Sequence, residues 1–183
     1  MPSKSSRILL LRGINIGPNK RVPMPELRTV LGEAGFADVR TYVQSGNVVL
    51  TSRAAPAKLG AQAERLIAER FGFDVDVIVR TADELGSVVA RNPLAEVAVN
   101  PKRYQVSFLD AEPDPEVVEK ISGLCVDGER VVVIGREAYT WHPDGVARSK
   151  LWTKMAAAGG LGVRATARNW TTVTTLLEMA GDS

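Results

Sequence analysis

The sequence has little of the chemistry that builds metal centres, disulfides and covalent active sites. Its 183 residues include one cysteine, Cys125, and one histidine, His142. An internal disulfide is therefore excluded, and so is a metal site made of several histidines. No apolar run approaches the roughly 7–15 residues of a secretory signal or the roughly 20 of a membrane helix. We therefore expect a cytoplasmic protein, and a lone cysteine is consistent with that reducing compartment. We also expect the protein to hold neither a metal nor a cofactor.

Neither scarce residue lies in a setting typical of catalysis. Cys125 lies in the apolar run 124–126, which predicts a buried small hydrophobic residue. His142 ends a predicted hairpin, which predicts a surface or turn position, and no G-x-S-x-G motif accompanies it. The acidic run 110–116 suggests a metal site, but it contains two prolines at a predicted helix start, where acidic residues are favoured by the helix dipole.

Charge is distributed unevenly, although the net charge is only +2. Residues 1–53 carry +5, residues 54–144 carry −6 and residues 145–183 carry +3. The two basic ends of the chain indicate that the partner is an anionic small molecule. The alternative is that the uneven charge is a chance distribution of solvated surface side chains. The charge is too low for a dedicated DNA-binding protein. We expect no nucleic-acid or membrane partner, and the sequence leaves a homo-oligomer open.

The first half has the apolar spacing of strands and helices in the order βαββαβ. The segments are Arg7–Arg12, a helix opening at Pro23, Val39–Val43, Val48–Thr51, a helix from Pro56 to about Phe71, and Val75–Val79. This order is that of the ferredoxin-like split βαβ unit. A capping box, Thr81 with Glu84, predicts a further short helix that ends before Asn92.

The second half repeats this order about 95 residues later. Its segments are Tyr104–Leu109, a helix from Asp114 to about Ile121, Arg130–Ile134, Glu137–Trp141, a helix from Ser149 to Ala158, a short strand at Val163–Ala165, and a last helix to about Ala180 capped by Asn169 or Thr171. Residues 92–103 read as the linker. The sequence therefore predicts an α+β protein of two ferredoxin-like βαββαβ-type halves packed together, at residues 1–92 and 103–183.

Three predicted strands are apolar without alternation: Ile8–Leu11, Val77–Val79 and Val131–Ile134. A sheet with helices on one face only should alternate apolar and polar residues. Both faces of these strands are therefore expected to be buried, against the other sheet or another subunit. The predicted central strands of the first half also lack the aromatic residues on which RNA-recognition modules stack bases.

Two segments of the first half look unlike plain scaffold. Residues 11–17 (LRGINIG), followed by Lys20 and Arg21, place a glycine-bearing loop and two cations between a strand and a helix. Such a loop brings backbone amides close to an anion, although its spacing is neither that of a P-loop nor that of a dinucleotide fingerprint. Residues 41–47 (TYVQSGN) form a tight turn. The alternative for both segments is that their glycines only supply turns with positive φ.

The third segment, residues 164–172 (RATARNWTT), lies at the predicted start of the last helix. Asn169 or Thr171 would cap that helix, and Arg168 beside the helix start would suit a phosphate or carboxylate. The alternative is a capped and packed C-terminal helix with no ligand.

In this order, the three segments resemble a widespread bacterial family of small proteins known only as a domain of unknown function. The resemblance rests on LLRGINIG at 10–17, TYVQSGNVV at 41–49 and RNWTTV at 168–173, and it covers essentially the whole chain. It implies the paired ferredoxin-like architecture and brings no activity, substrate or catalytic residue.

Three hypotheses follow for the function. In the first, one pocket between the first loop and the last helix binds an anionic small molecule such as a nucleotide or phosphometabolite. Its predicted ligand-binding residues are Arg12, Asn15, Lys20, Gln44, Ser45, Asn47, Arg168 and Asn169. In the second, the protein is an enzyme of unknown activity that uses the arginines for electrostatic stabilisation. In the third, it is a structural or oligomeric module whose motifs serve packing alone.

Overall fold

A computed structural model describes residues 5–157 and 159–181. Both halves consist of four strands and three helices in the same order. The first half contains β1 (Ser5–Leu11), α1 (Met24–Glu33), β2 (Ala37–Tyr42), β3 (Asn47–Ser52), α2 (Pro56–Phe71), β4 (Val77–Thr81) and α3 (Ala82–Arg91). The second contains β5 (Tyr104–Leu109), α4 (Pro115–Ser122), β6 (Arg130–Ile134), β7 (Glu137–Trp141), α5 (Lys150–Ala156), β8 (Ala165–Asn169) and α6 (Trp170–Gly181).

Each half forms its own four-stranded antiparallel sheet. The strand orders are β2-β3-β1-β4 and β6-β7-β5-β8. This is the ferredoxin-like order, in which the first strand of each half occupies a central position. The prediction of an α+β fold built from two similar halves is confirmed.

The chain divides into two compact units that do not follow the halves strictly. One unit comprises residues up to Ser87 together with those from Thr175 onward, and the other comprises Val88–Thr174. The divisions fall within α3 and α6. The last turns of α6 thus belong to the unit that holds the first sheet.

The first sheet packs one face against α1 and α2. Leu9 and Leu11 of β1 share this core with Leu27 of α1 and Leu59 and Ile67 of α2, and all five are almost fully buried. Pro56 and Gly72 bound α2 as the sequence predicts, because proline is tolerated in a first turn and Gly72 adopts φ 81° at the C-cap.

The opposite face of the first sheet is also buried. Ile8 and Leu10 have no exposed surface. Part of the cover comes from the end of α6. The Ser6 Oγ donates to the carbonyl of Ala180 at 2.9 Å, and the Arg40 guanidinium donates to the carbonyl of Met179 at 2.8 Å. The expectation that β1 is buried on both faces is confirmed.

The second sheet packs its own helices on one face and carries aromatic residues on the other. Leu109, Ala138 and Leu151 belong to the helix-facing core. Strand β6 was expected to be buried on both faces, and this expectation is wrong. Its residues 131–134 are only half-buried, because β6 is an edge strand.

The two halves match residue by residue in the register of their sheets. Arg80 of β4 lies opposite Ile8 of β1, and Arg168 of β8 lies opposite Val106 of β5. Both arginines are at the same place in their ladders and both are buried. Because directly opposed residues of an antiparallel pair share a face, each guanidinium lies on the sheet face away from α1 and α2 or from α4 and α5.

An ion pair recurs next to this ladder with its signs exchanged. In the first half, Arg12 follows β1 and its Nη1 lies 3.9 Å from the Asp76 Oδ2. In the second half, Asp110 follows β5 and its Oδ2 lies 3.0 Å from the Arg164 Nε. Equivalent backbone bonds accompany both pairs, from the Arg12 amide to Asp76 and from the Asp110 amide to Arg164.

Strand β8 begins and ends later than the sequence predicts. It spans Ala165–Asn169 instead of 163–165, so that Arg168 and Asn169 belong to a strand. Its small and polar residues give a weak apolar signal, and the pairing with β5 provides what the local pattern lacks. The predicted end of α5 at Ala158 lies outside the described residues.

The capping box of α3 forms as predicted. The Thr81 Oγ1 accepts from the Glu84 amide at 3.1 Å, and the Glu84 Oε2 accepts from the Thr81 amide at 2.8 Å. We expect Thr81→Ala to lower the free energy of unfolding by about 1 kcal/mol. The check is urea unfolding followed by circular dichroism, with Thr29→Ala at an exposed position of α1 as the control. An equal loss in both variants would contradict the capping role.

Candidate functional site

The loop after β1 is longer than the fold requires. It runs from Arg12 to Pro23, twelve residues, between β1 and α1. The equivalent connection in the second half runs from Asp110 to Asp114, five residues, and joins the same two elements. The first loop is thus seven residues longer than its counterpart, and two of its residues, Ile14 and Val22, are buried in the first core.

The turn between β2 and β3 is lengthened in the same half and at the same end of the sheet. Residues 43–46 make this turn, whereas Gly135 and Arg136 suffice between β6 and β7. Val43 adopts φ 50°, which is costly for a β-branched side chain, and it is 51% exposed. The two lengthened connections lie next to each other.

Asn15 ties the first loop to the hairpin turn. Its Nδ2 donates to the carbonyls of Gln44 at 2.6 Å and Val22 at 2.9 Å, and its Oδ1 accepts from the Val22 amide at 2.9 Å. The Asn15 amide donates to the carbonyl of Lys20, which closes the loop tip. The side chain is thus fully committed to shaping the loop.

Gly46 lets the hairpin turn reach the end of β1. Its carbonyl accepts from the Leu11 amide at 2.9 Å. It has φ 84°, and a Cβ at this position would lie 2.6 Å from the Leu11 Cβ and 2.9 Å from the Ile14 Cδ1. Neighbouring Asn47 is fully buried and donates to the Tyr42 carbonyl and the Ser45 Oγ.

The tip of the first loop presents cations and backbone amides to solvent. Lys20 and Arg21 are exposed, and the Lys20 Nζ donates to the carbonyl of Asp74 at 2.9 Å while retaining two further protons. Within the described residues, the amides of Ile16, Gly17 and Asn19 have no intramolecular acceptor. These donors lie in a loop whose shape is already fixed by Asn15.

Six of the eight predicted ligand-binding residues therefore lie in one unit and at one end of its sheet. Among them Asn15 and Asn47 hold the backbone together, Arg12 pairs with Asp76, and Gln44 and Ser45 are exposed in the turn. Two of these six, Asn15 and Asn47, have structural roles in the first unit.

Arg168 and Asn169 lie in the other unit and have local partners there. The Arg168 Nη1 donates to the Thr166 Oγ1 at 2.7 Å and to the carbonyl of Ala167 at 2.8 Å. Burial lowers the pKa of the Arg168 guanidinium to about 10, so it stays charged at neutral pH. The Asn169 Oδ1 accepts from the Thr172 amide and caps α6, as predicted.

His142 begins a turn as predicted, since the Gly145 amide donates to its carbonyl at 2.9 Å, but it is fully buried and does not lie at the surface. Its Nδ1 lies 2.7 Å from the Glu129 Oε2, and its Nε2 lies 3.0 Å from the Thr140 Oγ1. Ser149 caps α5 by accepting from the Trp152 amide, and its Oγ donates to the Glu129 Oε2. Local periodicity carries no signal for this burial, because Glu129 lies on the connection before β6 and Ser149 at the start of α5.

The Glu129–His142–Thr140 relay has the distances of an acid–histidine–hydroxyl triad, but its geometry excludes that chemistry. Thr140 has no exposed surface, so its hydroxyl cannot reach a substrate carbonyl. Burial lowers the pKa of His142 against the opposing effect of Glu129. Burial likewise raises the pKa of the Cys125 thiol, which packs against the second core as a hydrophobic residue.

The central strands of the second sheet carry the aromatic residues that the first sheet lacks. Tyr104, Phe108, Tyr139 and Trp141 lie on β5 and β7, and none is more than 7% exposed. They are therefore unavailable for stacking on nucleic-acid bases.

Among residues 5–157 and 159–181, no group of three histidine, cysteine or acidic side chains is placed to hold a metal ion. None of the helices in the described ranges combines the length and the apolar character needed to cross a bilayer.

A family described as "Protein of unknown function (DUF1697)" matches residues 5–139. The chain belongs to this family. The matched range includes the first loop, the hairpin turn and most of the second sheet. No curated protein sequence matches the chain.

The fold is shared with a solved structure described as that of conserved bacterial protein SP0830 from Streptococcus pneumoniae. The two are 22% identical, with a TM-score of 0.78, and the match covers 96% of this chain and 98% of that chain. At this identity the likeness establishes the common fold alone.

We expect Gly46→Ala to be strongly destabilising. The added Cβ collides with Leu11 and Ile14, and alanine is strained at φ 84°. The loss is about 3 kcal/mol in the free energy of unfolding. Gly17→Ala is the matched control, since Gly17 has φ 78° but open space around it, and its cost is about 1 kcal/mol. Chemical denaturation measures both, and equal costs would contradict the contact with Leu11.

His142 makes stability depend on pH. Because its pKa is lowered in the folded state, the unfolded state binds the proton more readily. The stability contributed by the neutral histidine is present above the unfolded pKa of about 6.5 and is lost as pH falls below it. We expect the melting temperature to fall more between pH 7 and pH 5 in the wild type than in His142→Asn. Parallel pH profiles of the two proteins would refute this assignment.

Proposed function

We propose that the first loop and the adjacent hairpin turn bind a small anionic ligand, such as a nucleotide or a phosphorylated metabolite. The observation that supports this most is the internal comparison of the two halves. The second half builds the same sheet and the same helices with a five-residue connection. The first loop is seven residues longer than this connection, and its exposed tip, residues 16–21, is the part available to a ligand.

The chemistry of the loop tip favours an anion. Lys20 and Arg21 supply two positive charges beside the backbone amides of Ile16, Gly17 and Asn19. Asn15, Gly17 and Lys20 have positive φ, and exposed backbone amides in loops of this kind suit phosphate or carboxylate oxygens. The cross-link through Asn15 fixes the loop beforehand, so that binding does not have to order it.

The proposal narrows the set of residues that contact the ligand. Asn15 and Asn47 hydrogen-bond to backbone carbonyls and are not ligand contacts in this proposal. Lys20 and Arg21 contact the ligand directly, and Gln44 and Ser45 lie at the edge of the site. The groups that the loop tip presents are cations and backbone N–H donors, which suit the binding of an anion. We also propose that the protein is cytoplasmic, as expected from the sequence.

The proposal is tested by isothermal titration calorimetry with inorganic phosphate, pyrophosphate and adenosine triphosphate. At least one of these anions is expected to bind saturably to the wild type. The double variant Lys20→Ala/Arg21→Ala is expected to bind it at least about tenfold more weakly, because a hydrogen bond to a charged group contributes about 1.5–3 kcal/mol.

The matched control is Arg53→Ala/Lys58→Ala, which removes the same charge from two exposed positions of the same unit. Its affinity should stay within about twofold of the wild type, since only long-range attraction is lost. Failure of all three anions to bind the wild type, or an equal loss in the two double variants, would overturn the proposal.

A further inference from the structure

The second unit contains a pocket that uses none of the residues proposed above for anion binding. It is a pocket of about 470 Å³. Two chain segments form it: residues 126–129 before β6, and residues 142–149 between β7 and α5. The volume is within the range of small-molecule sites in proteins.

Both segments are lengthened relative to the first half. The connection from α4 to β6 has seven residues, 123–129, whereas 34–36 suffice from α1 to β2. The connection from β7 to α5 has eight residues, 142–149, whereas 53–55 suffice from β3 to α2. The pocket is therefore built from two connections that are longer than their counterparts in the first half.

One of the residues that line the pocket is a buried carboxylate, Glu129. Glu129 is 7% exposed, and its Oε2 accepts from the Ser149 hydroxyl and faces His142. Its other oxygen, Oε1, is engaged less completely. The only donor found for it among the described residues is the Val126 amide, at 3.4 Å. A carboxylate oxygen with two lone pairs can accept a further, shorter hydrogen bond.

The charges that line the pocket are mostly negative. Asp127, Glu129 and Asp144 oppose a single cation, Arg148. His142 adds no charge at neutral pH, since burial lowers its pKa. From outside the lining, Arg103 donates to the carbonyl of Pro143 and Arg130 donates to the carbonyl of Glu129. The lining residues themselves carry an excess of two negative charges.

We propose that this pocket binds a small organic cation that carries an ammonium or guanidinium group. The cationic N–H groups would donate to the Glu129 Oε1, while Asp127 and Asp144 neutralise the charge at the mouth. A charge-assisted hydrogen bond to a buried carboxylate is stronger than one between neutral groups, which gives selectivity for a cation.

The proposal is tested with putrescine and agmatine as probes and with 1,4-butanediol as the uncharged analogue. Binding is measured by titration calorimetry and by ligand-observed NMR. At least one amine is expected to bind saturably to the wild type, and the diol is not. Asp127→Asn/Asp144→Asn, which alters two exposed side chains, is expected to weaken amine binding at least about tenfold.

Blocking the pocket provides a test that does not depend on charge. Val126→Trp places a large ring at a 51% exposed position in the lining and should abolish amine binding. Val99→Trp, at an 82% exposed position outside the lining, should leave it unchanged. Absence of saturable binding of both amines to the wild type, equal binding by Val126→Trp, or equal binding of the diol would overturn the proposal.

Discussion

The hydrogen bond from the Leu11 amide to the Gly46 carbonyl fixes the end of the first sheet, and the candidate anion site depends on it. It holds the hairpin turn against the last residue of β1, at a distance that only glycine permits. Once the turn is there, Asn15 reaches the Gln44 carbonyl and closes the first loop. The second half makes the equivalent bond from the Leu109 amide to the Arg136 carbonyl without a glycine. The close contact between the hairpin turn and the end of the first strand thus occurs only in the half that has the long first loop.

The internal repeat separates what the fold needs from what it carries. Sheet order, register and the buried arginine of the fourth strand recur in both halves, so they belong to the framework. The long connections do not recur. The first half extends the end of its sheet where β1 stops, and the second half extends the end where β5 starts. One architecture therefore presents two different surfaces, one rich in cations and backbone donors and one rich in carboxylates.

The sequence was sufficient to predict the strands and helices of the framework. It was not sufficient to predict where the buried polar groups lie. Strands β5, β6 and β7 and helix α2 have the predicted bounds, because apolar runs and proline or glycine boundaries are local signals. Strand β8 was predicted too early, since its small and polar residues are held in the sheet by β5. His142 was misplaced because its partner Glu129 comes from another connection, and such a pairing leaves no trace in local periodicity.

The exchanged signs of the recurring ion pair bear on strand pairing during folding. A chain with two similar halves could pair the fourth strand of one half with the first strand of the other. If β8 were to add to β1 in place of β4, Arg164 would meet Arg12. If β4 were to add to β5, Asp76 would meet Asp110. Either mistaken sheet sets like charges against each other at the strand end, whereas both correct sheets set opposite charges there. The signs of the charges at this position thus favour pairing of β4 with β1 and of β8 with β5.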